Sequence, residues 1–233
     1  GNVLLAVGSD IEYVVVELEG QKYIVAKERK EELEELKGLE ELEELKGSEL
    51  VGAQYDPLFP FFKDHENAFR VVSADFVTTE DGTGVVHIAP GFGEDDKNLG
   101  QQEGVEPIMH VQMNGEFVDE VADPLSADGY EVKEVPVKEK GETMKVDIEM
   151  IKALAHAGKL FSKKKLVHSY PHCWRCDTPL LNYATSSWFV RVTDIRERLL
   201  STNKEINWVP ENMKEGRFGK WLEGARDWAV SRS

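Results

Sequence analysis

Apolar and polar positions alternate through the first 26 residues in the way strands do. Val3–Val7, Tyr13–Leu18 and Gln21–Ala26 are apolar-rich runs, and Glu19-Gly20 joins the last two like a tight hairpin. At Lys27 the texture changes. EELEELKG at 31–38 returns at 40–47, with Leu33, Leu36, Leu39, Leu42 and Leu45 recurring every third residue among Glu and Lys. That spacing predicts short helical turns stopped at Gly38 and Gly47, with the charges on a solvated face. The aromatic, proline-punctuated run Tyr55–Phe62 suits an irregular edge packed on a core. Val71–Val77 and Val85–Ala89 read as strands around a polar turn with Asp81-Gly82 at its tip. Gly91-Phe92-Gly93 then opens a short helix from Glu94 to Gln102, whose first-turn acids suit the helix dipole.

Asn114-Gly115, between Met109–Met113 and Glu116–Val121, is the strongest short hairpin signal in the chain. A helix capped at Asp147 carries Ile148, Ile151 and Leu154 and stops at Gly158. After Lys163-Lys164-Lys165 the character shifts to a Cys-containing turn, a strand at Trp188–Val192, a helix at Asp194–Leu200 and a Trp-rich amphipathic stretch from Glu215. The expected organisation is a β-rich α+β fold. Residues 1–160 form a barrel- or sandwich-like domain with helical insertions, and residues 161–233 form a mixed α/β segment.

At 233 residues and 41% hydrophobic, the chain has the material for a real core. Its net charge of −16 is uneven: 13 basic and 36 acidic residues up to Met150, against 15 and 8 after it. The acidic part repels phosphate, which excludes a histone-like binder held by charge alone. Two cysteines, Cys173 and Cys176, exclude a disulfide framework. No apolar run approaches the roughly 18 residues a membrane span needs, so a cytoplasmic chain with no membrane partner is expected. A start without Met and an end at Ser231-Arg232-Ser233 suggest a piece of a longer polypeptide.

Two stretches carry candidate chemistry. In Gly82–Asp96 the glycines lead into a strand rather than from a strand into a helix, and His87 stands where a third glycine belongs, so a dinucleotide loop is ruled out. The Pro90–Gly93 loop can instead return Asp96 towards His87, where a carboxylate and an imidazole would bind a cationic amine and orient a water. The alternative is a satisfied core histidine beside acids that only complement a helix dipole. In His168–Cys176 the C-x-x-C pair supplies two thiolates, whereas a closed zinc site takes four ligands. His168 and His172 are the weaker way to complete it, and a redox pair lacks its βαβ surroundings. Half of a zinc site is the preferred reading. No G-x-S-x-G string supports a serine nucleophile.

Taken together, GTGVVHIAPGFGEDD, YDPLFPFF, HSYPHCWRCDTPLLNYATSSWF and NWVPENMKEGRFGKWLEGARDWAVSRS resemble segments of the class I isoleucyl-tRNA synthetases. The first is similar to the heart of that family's editing domain, and the last two to the return into its catalytic nucleotide fold. The resemblance implies a β-barrel-like editing domain that hydrolyses valine misattached to tRNA(Ile) and helps clear valyl-adenylate. It implies that Asp96 holds the substrate's α-ammonium, that His87 lines the amino-acid pocket and that Tyr170 lies near the terminal adenosine. Cys173 and Cys176 would share a structural zinc with ligands upstream of Gly1. ATP and Mg would belong to the synthetic site of the whole enzyme, and tRNA(Ile), valyl-adenylate and the rest of the synthetase would be partners. The family's threonine-rich peptide and both catalytic signatures lie outside the chain, so it is not expected to charge tRNA alone. Whether a side chain or a ribose hydroxyl activates the water is left open.

Overall fold

The computed structural model describes residues 2–141, 144–165 and 169–231. His168, weighed above as a zinc ligand, lies outside the described residues. Contacts divide the chain into two compact units, Gly1–Ala184 and Thr185–Ser233.

The first unit is built on two small sheets. In one, β1 (Leu4–Val7) is central, parallel to β5 (Arg70–Ser73) and antiparallel to β6 (Val86–Ile88). In the other, β2 (Glu12–Leu18) lies between β3 (Gln21–Ala26) and β4 (Glu41–Lys46), both antiparallel to it. Single turns of helix, α1 (Lys27–Lys30) and α2 (Gly47–Leu50), follow β3 and β4. Three longer helices follow β6: α3 (Glu94–Gln102), α4 (Asp119–Ala127) and α5 (Lys145–His156).

Central position explains why β1 is apolar on both faces: Val3, Leu4, Ala6 and Val7 are all buried. Leu4, Val72, Ile88 and Leu99 belong to one cluster, which ties the strands of this sheet to α3. Tyr13 fastens the sheets together without leaving its hydroxyl unpaired. Its oxygen donates to the Gly84 carbonyl at 2.7 Å and accepts the Gly8 N–H at 3.2 Å, and burial pushes the phenol pKa up. Gly84 must be glycine: its φ is +77°, and a Cβ there would sit 2.4 Å from that of Ala26.

The architecture is mixed α/β with small open sheets, and among the described residues the strands do not close into the expected barrel. The ladders are too short to close. β6 has three residues, and after the single Gln54–Arg70 bridge the proline- and aromatic-rich segment from Asp56 to Ala68 turns instead of extending a ladder.

The leucine–glutamate repeat also departs from its reading as helical turns. Residues 31–38 do form turns, with Leu36 buried against Val14, Val16 and Val25, but Glu41–Lys46 is strand β4. The free edge of β2 offers it a ladder of backbone hydrogen bonds, which outweighs the modest helix preference of Leu, Glu and Lys. A register shift at Val15/Val16 absorbs the period-three spacing, leaving Leu42 exposed and Leu45 against the core. Around Asn114-Gly115 the chain makes the expected turn, Gly115 at φ +86°, but pairing is limited to the Val111–Phe117 bridge before α4 begins.

The sequence texture changes near 160, whereas the first compact unit runs on to Ala184. The Phe161 ring packs tilted against Tyr23 with centroids 4.8 Å apart, Tyr183 meets Phe92 edge-on at 5.9 Å, and the Ala184 N–H donates to the Gly91 carbonyl at 2.9 Å. These contacts hold Phe161, Tyr183 and Ala184 to the rest of the first unit.

The second unit pairs α6 (Arg196–Glu205) with α7 (Arg217–Glu223) beside a two-stranded ribbon, β7 (Phe189–Val190) and β8 (Trp228–Ala229). Asn203 is its buried polar hinge, donating to the Lys214 carbonyl and accepting the Trp208 indole N–H. Asp227 accepts both the backbone N–H and the hydroxyl of Thr193, bonds that hold its carboxyl below the usual carboxylate range. No helix of the described residues is long and apolar enough to cross a membrane.

Candidate active site

The strand–loop–helix expected at 85–102 forms. After β6, Pro90 and Gly91 are buried and the Phe92 N–H donates to the Ala89 carbonyl at 2.8 Å, which bends the chain into α3. Glu94, Asp95 and Asp96 occupy the first turn, where the unpaired helix N–H groups favour negative charge. Asp96 turns back. Its Oδ2 accepts the Ala89 N–H at 2.9 Å, which places the carboxylate two residues along the chain from His87.

The return depends on a bare backbone at Gly93, where a Cβ would lie 3.0 Å from Asp96 Cγ. Gly93 has an extended φ of −148°, so alanine is tolerated by the backbone and acts only by pushing the carboxylate aside. Gly93→Ala is therefore expected to lower any Asp96-dependent hydrolysis about tenfold with little change in the unfolding midpoint. Paired rate and denaturation measurements would check this.

His87 lies on β6 opposite Leu5 and lines a cavity of about 320 Å³. The Asn2 side-chain amide is 2.9 Å from His87 Nδ1; since an amide N–H only donates, the bond suits a neutral ring protonated at Nε2. The walls are largely aromatic and aliphatic, among them Tyr55, Phe59, Phe69, Ile108, Phe117 and Leu154, and among the described residues no Asp, Glu, Lys or Arg lines them. Burial lowers the His87 pKa, pushes His110 down to about 4 and pushes the Tyr55 phenol up to about 12. All three are uncharged near neutral pH.

His110 also grips the loop. Its ring meets Phe92 edge-on, centroids 4.5 Å apart, and Phe92 immediately precedes the glycine that Asp96 turns across. A histidine titrates near 6.5 in an unfolded chain, so between about pH 6.5 and 4 the unfolded state binds the extra proton. The sign follows: stability falls with falling pH across that window and its loss levels off below about 4. His110→Phe is expected to flatten this part of the profile, as read by urea midpoints at pH 7, 5.5 and 4.5.

Of the residues singled out from sequence, the fold brings Asp96 beside the end of the strand that bears His87, while only His87 lines the cavity. Tyr170 is not among the lining residues; its ring packs edge-on against His172 at 5.9 Å. Cys173 and Cys176 share a tight turn in which the Asp177 N–H donates to the Cys173 carbonyl and the Cys173 N–H to the Thr178 carbonyl. Thr178 Oγ1, 3.2 Å from Cys176 Sγ, does most to lower that thiol's pKa, with Cys173 and Lys140 contributing. His172 Nδ1 is 2.9 Å from the Tyr170 carbonyl, and among the described residues no three His, Cys, Asp or Glu side chains gather as a metal site would require. The described residues thus gather no closed set of metal ligands around Cys173 and Cys176.

Sequence reasoning missed Asn2, Tyr55 and His110. Each is an isolated polar residue in an apolar or irregular run, and only folding brings the three segments to one cavity. The local signal was confined to His110, set between Met109 and Val111.

A family model for class I tRNA synthetases (I, L, M and V) matches residues 9–233. The isoleucine–tRNA ligase of Treponema denticola is 46% identical over 250 residues, covering all of this chain and 22% of that protein. Those of Rickettsia canadensis and Bdellovibrio bacteriovorus are 43% and 46% identical, again across the whole chain and over 20% and 21% of their own length. The chain spans about a fifth of the length of the curated relatives it matches. The crystal structure of GlLeuRS-CP1 aligns with a TM-score of 0.46 at 15% identity, covering 70% of this chain and 79% of that one, too slight a likeness to bear on function.

Proposed function

Because the chain belongs to the class I tRNA synthetases, we propose that it is the editing region of an isoleucine–tRNA ligase and hydrolyses valine wrongly esterified to tRNA(Ile). One observation carries this reading: Asp96 is turned back across Gly93 onto the end of the strand whose His87 lines an uncharged cavity. Such a pairing sorts a substrate into two parts. The carboxylate attracts the α-ammonium, and a space without charged walls takes an uncharged remainder.

The need for a second site is energetic. One methylene is worth about 1–3 kcal/mol in an apolar pocket, a limit for which the isoleucine–valine pair is the standard illustration. A carboxylate that pairs with the substrate ammonium is occupied by that charge-assisted bond, so Asp96 anchors the substrate rather than taking a proton from water. With the amine held, the ester carbonyl has a fixed position; water adds to it, the bond to the ribose oxygen breaks, and valine and tRNA leave. Orientation of this kind is a large part of catalysis. The same pocket would help to clear valyl-adenylate, and Tyr170 would lie towards the terminal adenosine. We assign Cys173 and Cys176 two positions of a structural zinc whose other ligands lie outside this chain. ATP and Mg would act at the ligase's synthetic site, also outside it.

The decisive experiment compares deacylation of valyl-tRNA(Ile) and isoleucyl-tRNA(Ile) by a full-length synthetase carrying this chain. Hydrolysis of the valine ester at least tenfold faster than the isoleucine ester, reduced by His87→Ala, is expected. Equal rates on the two esters, or no effect of His87, would remove the reading.

A further inference from the structure

The aromatic run after β4 supplies part of the cavity wall, yet little of its backbone is tied down. Leu58, Phe59, Phe61 and Phe62 line the cavity, as do Met150 and Leu154 of α5. At one end of the run the Tyr55 N–H donates to the Phe69 carbonyl at 3.0 Å, and at the other the Phe62 carbonyl accepts the His65 N–H at 3.0 Å. Among the described residues, no backbone group from Asp56 to Phe59 bonds another backbone group. The run is held there by Lys159, whose Nζ donates to the Pro57 carbonyl at 3.1 Å and to the Leu58 carbonyl at 2.7 Å. Lys159 has a fixed base just past α5, where Gly158 is at φ +65° and the Lys159 N–H donates to the Leu154 carbonyl at 2.9 Å. One exposed ammonium thus fastens two parts of the cavity wall to each other.

The run is built as a hinged piece. Phe62, at its end, has a φ of +57°, a backbone region that bulky side chains rarely occupy, so a swing of the chain at that point relieves strain. Pro57 and Pro60 stiffen the part between, and Phe59 and Phe61 stack with centroids 5.8 Å apart and planes at 6°. Its remaining attachment is apolar, with Phe59, Phe61 and Phe62 packed against the cluster that holds Val146 and Ala153 of α5. A permanent wall is secured by backbone ladders, as β6 is by β1; segments with few such bonds are the first to open.

Resting on the editing reading above, we propose that residues 56–62 are a lid over the cavity and that Lys159 is its latch, a positioning residue that holds the lid shut once the aminoacyl end of the substrate is inside. An amino acid that arrives joined to a nucleotide needs a wide mouth for entry and a narrow one while its ester is attacked. Two charge-assisted hydrogen bonds from a solvent-exposed ammonium suit that cycle. When they break, water takes up both the ammonium and the carbonyls, so neither side is left buried and unpaired.

The test follows chymotrypsin cleavage after Leu58 and Phe61 in a full-length synthetase carrying this chain, by mass spectrometry of the fragments. It is run with and without valine joined to the 3′ position of adenosine through a stable amide. Lys159→Met keeps the aliphatic stem and loses the donor. Its cleavage at these two bonds should be about tenfold faster than in the wild type, the change in open population expected from losing one charge-assisted hydrogen bond, with cleavage elsewhere unchanged. Lys159→Arg, which again offers donors, should return it towards the wild-type rate. The amide should slow cleavage of the wild type at both bonds and slow it less in Lys159→Met. Equal cleavage of wild type and Lys159→Met, or no protection of the wild type by the amide, overturns the lid. If Lys159→Met folds poorly, cleavage rises throughout the chain, and the response of the wild type to the amide decides alone. Deacylation of valyl-tRNA(Ile) by the wild type separates the two readings: hydrolysis without protection leaves the editing function standing, and no hydrolysis removes both.

Discussion

Asp96→Ala is expected to reduce deacylation of valyl-tRNA(Ile) by about 10- to 100-fold in a full-length synthetase, while isoleucine charging proceeds and valyl-tRNA accumulates. The size follows from losing a charge-assisted bond to the substrate ammonium, the strongest class of hydrogen bond available to a side chain here. Alanine also strands the Ala89 N–H, which Asp96 Oδ2 accepts at 2.9 Å, so part of any effect would come from the loop. Asp96→Asn separates the two contributions. Its amide oxygen can still accept the Ala89 N–H, but it carries no charge. The asparagine variant should therefore match the wild type in urea midpoint and match the alanine variant in deacylation. Deacylation at the wild-type rate by Asp96→Asn would show that the ammonium is held elsewhere and that Asp96 serves only the bend into α3.

Leu4→Ala should produce the largest loss of stability, about 2–5 kcal/mol, measured as a lower midpoint in urea with an unchanged slope. Leu4 is fully buried, and its strand is flanked on both sides: it lies opposite Arg70 of β5 and Ile88 of β6. Neither neighbour can close the gap, because each is held in register by the ladder it shares with β1. The loss should also reach the site, since β6 carries His87 and leads directly to the Ala89 N–H that Asp96 engages. A change below about 1 kcal/mol would mean the sheet relaxes around the cavity and that β1 is not the element holding His87 in place.

The residues that became legible without a structure were those whose chemistry is local. Glu94–Gln102 forms the expected helix because its acids, its glycine entry and its length all act within one segment. β2 and β3 pair as the sequence suggests because a two-residue turn at Glu19-Gly20, both at positive φ, sets their register. The return of Asp96 to the Ala89 N–H was legible for the same reason: the strand end, loop and helix start that make it lie within the ten residues 87–96.

What the sequence left undetermined involves partners distant along the chain. Glu41–Lys46 has a helix-like composition, yet it pairs with β2, because an unfilled sheet edge outweighs a weak preference for helix. Residues 161–184 look like the start of a new region, yet Phe161, Tyr183 and Ala184 pack on groups of the first unit. The cavity is the clearest case. Asn2, Tyr55, His87 and His110 carry no mutual signal in one dimension, and whether a histidine keeps its proton or a tyrosine its hydroxyl unpaired depends on what surrounds it after folding. Local backbone preference sets the bend that delivers Asp96; burial, which only the assembled fold imposes, sets the polarity of the space beside it.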